Sequence, residues 1–489
     1  MAHEFLTYST DQAFLLPPNP RDWLPEGHLA FQVIDVVDEL DLSMFNASYG
    51  KDGRGAPSFS PVMMVSLLVY AWSRKVYSSR KIAALCRDDV GGRIIGGGYL
   101  PDHRTVNNFR LRHEGALDGL FKQSIKLCQR AGLVGMTAGA LDGSKIPANA
   151  SKRKAMSYER LVAEEARVQA EIDGYFKRAA EEDAADDAQY GADNEGPSIS
   201  DELKRRQTRI AKIREAKTAI EADAHAAAEH KQKERSEKET TAAASGKKVP
   251  GKKPKIDATP KPTAQRSFTD PESRIMKSGN GSFIQGYNAQ AMVDADYQVI
   301  VACELSQQAA DVGHLPAMLE QTKENLGSLP DKLLADGGYF SEENMTVAKE
   351  MGVVALIPPD RERCGSPSEP AAALSEVELS KLSPVEQMRH LVSTKDGREA
   401  YSKRKTIVEP VFGQAKGCAG HPGFLGFLRR GYEKCSAEWQ WVCASHNILK
   451  YIRHRPGKAG DAASPTGPNR PNRAKIASTE TQMALAGGW

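Results

Sequence analysis

Two stretches of this sequence share a form that constrains the fold more than any other feature: a short apolar run, an aspartate and then glycine. The first ends in Leu141-Asp142-Gly143 and the second in Ala335-Asp336-Gly337-Gly338. An apolar run of this length predicts a strand, and the glycines leave each carboxylate open to a bulky partner because they carry no side chain. Asp and Gly are also common at ordinary strand-to-turn junctions. Each stretch alone therefore leaves a functional and a purely structural interpretation open.

The composition is that of a globular protein and names no partner. The 489 residues, of which 40% are hydrophobic, suffice for two or three domains. With a formal net charge of only +3, any nucleic-acid surface has to come from local clusters of charge. Seven cysteines without a Cys-x-x-Cys pair argue against a disulfide framework, so we expect a cytoplasmic protein. The apolar runs are too short to span a bilayer, and we expect no membrane role.

The order of the predicted strands brings the two aspartates together. Residues 136–142 predict a first strand, and residues 286–294 and 298–304 predict two more, joined by a tight turn. An amphipathic helix over 315–326 and the strand that ends at Asp336 follow. Three strands, a helix and a fourth strand is the order of a ribonuclease H-like sheet, in which the first and fourth strands are neighbours. We therefore predict an α/β fold with an RNase H-like mixed-sheet core.

The first 133 residues carry helical patterns only, and one of these helices is basic. Arg104 and Arg110 lie on it among polar residues and behind a tight turn, as in a helix that reads DNA. A solvated helix face would show the same residues. We predict that residues 1–133 form an all-α N-terminal DNA-binding domain in which Arg104 and Arg110 contact DNA.

Residues 151–280 differ in composition from both flanks and predict a helical insertion. Apolar residues recur at helical spacing in two segments, for example Leu161, Val168 and Ile172 in the first, which favours a helical hairpin or a short coiled coil. A basic linker at 246–255 either lies along phosphates or is simply solvated. The predicted parts are the N-terminal domain 1–133, a catalytic core of 134–150 and 281–455, the insertion 151–280 and a disordered tail 456–489.

Glu409 supplies a third carboxylate at a geometrically special place. Pro410 has no amide donor, so it either opens a helix or bends one immediately after Glu409. Two aspartates on adjacent strands and a glutamate on a facing helix would repel one another without cations. Oxygen ligands without Cys or His favour Mg²⁺ or Mn²⁺, and two ions about 3.5–4 Å apart suit a phosphodiester substrate. Arg404, Lys405 and Lys416 would hold the DNA backbone on either side of the cleaved bond.

Five motifs, taken in their order along the chain, carry a family resemblance. They are Leu16-Pro17-Pro18 with Asp22-Trp23-Leu24-Pro25, Leu141-Asp142-Gly143-Ser144-Lys145, Thr269-Asp270-Pro271-Glu272-Ser273, Ala335-Asp336-Gly337-Gly338-Tyr339 and Val408-Glu409-Pro410-Val411-Phe412. The chain resembles the DDE transposases of bacterial insertion sequences. It looks like the branch with an InsH-type helical N-terminal domain and a long insertion after the first catalytic strand.

The resemblance implies an active site and a reaction. Asp142, Asp336 and Glu409 would be catalytic metal ligands for Mg²⁺ or Mn²⁺, with two ions expected. A metal-bound water would cut double-stranded DNA at the ends of the element, and the liberated 3′-hydroxyl would then attack target DNA. Paired DNA ends need paired active sites, so the resemblance also implies a homo-oligomer on DNA.

A Tyr, Arg, Glu, Lys signature surrounds the glutamate in related transposases. Tyr401, Glu409 and Lys416 fit this signature, and all but the glutamate would contact DNA. Lys405 occupies the spacing expected for the arginine, whereas Arg404 lies one residue earlier. Which of the two contacts phosphate is open, and a lysine there would lose the bidentate geometry of a guanidinium.

Two other functions are compatible with the same residues. A DNA-binding protein that kept the fold without catalysis would bind the element's ends and never cleave them, although three intact candidate ligands argue against it. A metal-dependent nuclease would hydrolyse DNA and never join strands. For the transposase we expect a bacterial, cytoplasmic protein associated with the nucleoid.

Overall fold

A mixed sheet lies at the centre of the chain. The computed structural model describes residues 19–49, 58–151, 155–190, 201–244, 258–279, 281–359, 370–416 apart from 373, 376, 377 and 380, and 424–455. The strands are β1 (Ala138–Pro147), β2 (Ala155–Ser157), β3 (Gln265–Ser267), β4 (Arg274–Lys277), β5 (Phe283–Asp294), β6 (Ile300–Ser306), β7 (Lys332–Ala335) and β8 (Val354–Leu356). Within the described residues, six strands form one sheet in the order β4-β5-β1-β7-β8, with β6 paired to β5, while β2 and β3 form a separate pair.

Helices surround this sheet in three groups. The N-terminal group is α1 (Leu29–Asp38), α2 (Ser43–Asn46), α3 (Pro61–Ser73), α4 (Ser79–Asp88), α5 (Val90–Ile95), α6 (His103–Arg112) and α7 (Leu117–Arg130). The long helices of the insertion are α8 (Tyr158–Tyr190) and α9 (Asp201–Ala244). The remaining ones are α10 (Leu315–Leu326), α11 (Glu342–Glu350), α12 (Pro384–Ser393), α13 (Lys395–Ser402), α14 (Arg404–Lys416) and α15 (Tyr432–His454). Short 3₁₀ turns span Pro20–Trp23, Glu114–Ala116, Val312–His314 and Gly337–Tyr339.

The sheet is organised around β1. This strand pairs antiparallel with β5 from Gly139 to Pro147. On its other edge it pairs in parallel with β7, where Leu141 lies opposite Ala335. The sequence-based prediction of a mixed sheet, with the first and fourth predicted strands side by side, is confirmed.

The structure corrects the predicted end of the first strand. The sequence places that end at Asp142, but β1 continues to Pro147 because residues 143–147 keep pairing with β5. Only the parallel pairing with β7 stops before Asp142. Asp142 therefore lies inside a long strand, at the point where the neighbouring strand ends.

The N-terminal helices and the sheet share one hydrophobic core. Helix α3 is buried on all sides from Met64 to Trp72, as its uniformly apolar sequence requires. Helix α15 packs against both α7 and β6. Asn447 of α15 joins the layers, because its side chain bonds to the backbone N and O of Ile300 at 2.9 and 2.8 Å and donates to Ser124 Oγ at 3.3 Å. The helical N-terminal region is confirmed, and its core is continuous with that of the sheet.

The insertion contains two long helices that pack against each other in antiparallel directions. Tyr158 near the start of α8 bonds to Glu221 of α9 at 2.8 Å, whereas Glu171 further along α8 accepts from Arg206 at 3.2 Å. The buried side chains between the helices include those of the predicted apolar series: Leu161, Val168, Ile172, Leu203, Ile210, Ile213 and Ile220. These contacts form a small hydrophobic core separate from that of the sheet.

The predicted boundary between insertion and core at residue 280 lies too far along the chain. Strand β4 belongs to the central sheet, since Arg274 to Lys277 pair with β5. The sequence did not indicate this strand because it has only four residues, with two apolar residues between two charged ones. Helix α9 is tied to the central sheet here, because its Asp223 binds Arg274 of β4 at 3.1 Å as well as Arg266 of β3 at 2.7 Å.

Several predictions concern segments outside the described residues. These are the Leu16-Pro17-Pro18 motif, the basic linker at 246–255 and the tail 456–489. In the part of the chain that is described, no helix is both long and apolar enough to cross a membrane.

Candidate active site

The pairing of β1 with β7 places the two predicted aspartates next to each other. Their last paired residues are Leu141 and Ala335, and Asp142 and Asp336 follow directly. The Asp336 side chain accepts from Gly338 N at 2.9 Å and so caps the 3₁₀ turn behind it. A Cβ atom at position 338 would lie only 2.9 Å from Asp336 Oδ1, so a larger residue there would displace the carboxylate. The first two predicted ligands are thus brought together by the sheet.

The surroundings of Asp142 make its negative charge costly. Burial raises the pKa of this carboxyl to about 6, and the nearby charges of Asp336 and Asp311 act in the same direction. Arg404 opposes them, with its Nη1 at 3.3 Å from Asp142 Oδ2, and Gly143 N donates to Asp142 Oδ1 at 2.8 Å. A cation held between the aspartates would remove the electrostatic cost.

Helix α14 carries two basic side chains onto this strand. The Arg404 side chain is only 10% exposed and its guanidinium lies 5.8 Å from the centre of the Tyr401 ring. Arg404 Nε has no hydrogen-bond partner among the described residues. Lys416 donates to Ser144 Oγ, and burial lowers the pKa of Lys416. Lys405 is exposed, so Arg404 and not Lys405 faces Asp142.

The third predicted ligand, Glu409, lies on the exposed side of α14. Pro410 is inside this helix and does not open it. The carbonyl of Thr406, which an ordinary residue 410 would bond, instead accepts from Gln298 Nε2 at 2.9 Å. Among the described residues, no three His, Cys, Asp or Glu side chains are grouped closely enough to hold a metal ion. The structure therefore brings two of the three predicted ligands together and leaves Glu409 apart from them.

The donor set nevertheless fits a hard divalent cation. Asp142 and Asp336 offer carboxylate oxygens, which Mg²⁺ and Mn²⁺ prefer. The pKa of Asp142 is raised mainly by burial and further by the neighbouring carboxylates, so a bound cation would stabilise its ionised form. These two residues would hold the ion.

The two arginines predicted to contact DNA have different surroundings on α6. Arg104 is exposed. Arg110 is only 3% exposed and its Nη2 lies 2.8 Å from Glu438 of α15, while its guanidinium covers the Trp72 ring at 5.4 Å. The prediction that Arg110 contacts DNA is wrong, because its charge is neutralised in the shared core. A partner 328 residues away along the chain gives no local sequence signal.

Replacing Arg110 should therefore affect folding and not DNA recognition. We expect Arg110→Ala to lower the free energy of unfolding by about 3–5 kcal/mol, because it leaves Glu438 as an unpaired buried charge. Arg104→Ala on the same helix should change it by less than about 0.5 kcal/mol while weakening binding to element-end DNA. Urea unfolding and gel-shift titrations measure the two effects, and a stable Arg110→Ala variant with impaired DNA binding would contradict this assignment.

Asp311 is a residue of this site that the sequence analysis missed. It follows β6 in a polar loop without an apolar run before it, so it lacks the pattern that marks Asp142 and Asp336. Its carboxylate accepts from Lys145, Asn288 and Gln290 at 2.7–2.8 Å. These partners come from β1 and β5 and meet only in the folded sheet.

Two family models match this chain. The transposase DDE domain matches residues 255–448, and the transposase domain DUF772 matches residues 18–112. The first range includes Asp336 and Glu409, the second includes Arg104, and Asp142 lies outside both. No curated protein and no solved structure matches the chain.

The mixed sheet with its paired aspartates and the two matched domains define a transposase. The chain belongs to the DDE transposases of the insertion-sequence type. Transposases act on DNA, and those of the DDE family generally use divalent metal ions. The InsH-type branch stays a prediction.

Proposed function

We propose that this protein cleaves DNA at the ends of its insertion sequence and joins the resulting 3′-hydroxyl to target DNA. The observation that carries the proposal is the register of β1 and β7, which sets Asp142 beside Asp336. A buried Arg404 next to this pair supplies positive charge where a phosphate would lie. Both matched family domains are consistent with this reaction.

Each side chain of the site has a proposed role. Asp142 and Asp336 hold the divalent ion, Mg²⁺ or Mn²⁺, and Glu409 joins them as the third ligand. When bound, two such ions would activate the attacking oxygen and stabilise the leaving one. Arg404 and Lys416 bind the phosphates on either side of the cleaved bond.

Glu409 has to approach the aspartates for this role. It shares α14 with Arg404 and Lys416, both of which already contact β1, so the helix is anchored on either side of Glu409. The glutamate is exposed, so its long side chain is free to change rotamer without breaking a packed contact. The Glu409 carboxylate would be attracted toward the aspartates when cations are bound there.

The N-terminal helices would recognise the element's ends. Exposed Arg104 on α6 contacts the DNA backbone or a base edge, whereas Lys405 and Tyr401 contribute to the surface near the cleaved bond. Cutting two ends requires two active sites, so we also propose a homo-oligomer on DNA. Light scattering that finds a monomer both alone and on end DNA would exclude this assembly.

A strand-transfer assay with labelled element-end DNA, a target plasmid and Mn²⁺ tests the proposal. We expect joined products from the native protein, and a loss of cleavage with unchanged end binding in Glu409→Gln. Glu433→Gln, an exposed glutamate on α15, is the matched control and should behave as the native protein. Cleavage of the DNA without strand joining would instead identify a nuclease. Binding to the element's ends without cleavage, whichever divalent metal ion is added, would identify a DNA-binding protein.

A further inference from the structure

A chain of hydrogen bonds runs through the sheet from β1 to the turn that follows β7. The Tyr339 hydroxyl donates to Gln290 Oε1. Gln290 Nε2 donates to Asp311 Oδ1 at 2.8 Å. Lys145 Nζ reaches both oxygens of the same carboxylate, at 2.8 and 3.1 Å. Four side chains from two strands and two turns are thus joined by consecutive hydrogen bonds.

This chain of hydrogen bonds is largely shielded from water. Tyr339 and Gln290 are fully buried, and the side chains of Lys145 and Asp311 are 15% and 21% exposed. Asn288 adds another donor to Asp311 at 2.7 Å. Hydrogen bonds in such surroundings are stronger than in water and hold their partners in a fixed geometry.

Asp311 lies directly against the backbone next to each catalytic aspartate. A Cβ atom at Gly143 would come within 2.7 Å of Asp311 Oδ1 and 2.3 Å of Gln290 Nε2. A Cβ atom at Gly338 would lie 3.6 Å from Asp311 Oδ2. The two glycines follow the aspartates closely in sequence, so Asp311 contacts both ligand-bearing segments.

We infer that Asp311 is a positioning residue that fixes the separation of Asp142 and Asp336 through Lys145 on one side and Gln290 with Tyr339 on the other. The inference rests on the proposed function. Lys145 comes three residues after Asp142, and Tyr339 comes three residues after Asp336, so each end of the chain holds one ligand segment. The carboxylate of Asp311 is already occupied by its donors, which makes it an anchor for these segments.

Tyr339→Phe removes one hydroxyl from the chain of hydrogen bonds and keeps the buried ring. The experiment is a calorimetric titration of the full-length protein with Mn²⁺ alone, compared with the native protein. We expect Mn²⁺ to bind roughly 10- to 100-fold more weakly, as when other partners that orient metal ligands are removed. DNA cleavage should recover toward the native rate at saturating Mn²⁺, and end-DNA binding should not change.

Tyr287→Phe is the matched control. Tyr287 is also fully buried in the sheet, but its hydroxyl donates to Asp270 at 3.0 Å, away from the aspartate pair. Its replacement should leave the Mn²⁺ affinity unchanged. Asp311→Asn provides a second disruption of the chain, and circular dichroism establishes that each variant is folded.

The outcomes separate this inference from the proposed function. Native Mn²⁺ affinity in both Tyr339→Phe and Asp311→Asn, together with lost binding in Asp336→Asn, would overturn the positioning role alone. Equal weakening in Tyr287→Phe would also overturn it, since general loosening of the sheet would then be the cause. Native Mn²⁺ affinity in Asp336→Asn would overturn the proposed metal site itself, and the positioning role with it.

Discussion

Asp336→Asn is expected to reduce DNA cleavage and strand transfer at least roughly 10³-fold, the equivalent of about 4 kcal/mol of lost charge stabilisation by the bound ions. Asp142→Asn should have an effect of the same size. Both variants replace a carboxylate with an amide of nearly equal volume, so the sheet should persist. End-DNA binding should be close to native, because neither aspartate belongs to the basic surfaces.

Thermal unfolding with and without Mn²⁺ provides an independent measure of the same prediction. A ligand that binds only the folded protein raises its melting temperature. We expect Mn²⁺ to stabilise the native protein and to lose this effect in both variants. Native cleavage rates in either variant, with unchanged metal stabilisation, would contradict the assignment of these two ligands.

Arg404→Ala should reduce cleavage roughly 10²-fold, whereas Lys405→Ala should change it less than about threefold. Arg404 is buried, contacts Asp142 and has an unpaired Nε, so its loss removes a charged hydrogen-bond donor from the site. Lys405 points to solvent. Single-turnover cleavage of end DNA at saturating Mn²⁺ measures both effects.

Arg404→Lys is the informative conservative variant. A lysine keeps the charge but has no planar fork for a phosphate, so cleavage should stay well below the native rate. Full activity in Arg404→Lys would mean that charge alone suffices. A larger loss of cleavage in Lys405→Ala than in Arg404→Ala would mean that Lys405 contacts the phosphate. The spacing of the family signature, and not the contacts of Arg404 in the structure, would then identify the phosphate-binding residue.

Local patterns sufficed to predict β7 with Asp336 directly after it, because the apolar run, the carboxylate and the glycines adjoin in sequence. The extent of β1 beyond Asp142 could not be predicted in this way. Residues 143–147 extend the strand through pairing with β5, which is more than a hundred residues away. In the sequence, Gly143 also looks like a turn residue. In the fold, its lack of a side chain leaves space that Gln290 and Asp311 occupy.

The rotation of α14 explains why spacing could not choose between Arg404 and Lys405. Neighbouring residues on a helix point about 100° apart, so packing decides which one faces the site. Ile407, Val408 and Val411 bury one face against the core, and Arg404 lies on that side. The sequence contained these apolar positions, but not the surface against which they pack.

Long-range ion pairs set a further limit on the sequence-based predictions. Arg110 looked like part of a basic recognition helix, and its partner Glu438 lies in the last described helix. Asp311 likewise acquires its role from donors on β1 and β5. In both cases the residue type was visible, whereas its function depends on which distant side chains the fold brings to it.

The central claim is that Asp142, Asp336 and Glu409 bind the catalytic ions together. Anomalous scattering from Mn²⁺ in crystals of the protein with element-end DNA tests it most directly. We predict manganese peaks within coordination distance of both aspartates, with the Glu409 side chain turned toward them from α14. Manganese bound at other residues, or between the aspartates with Glu409 still directed to solvent, would contradict the three-ligand site.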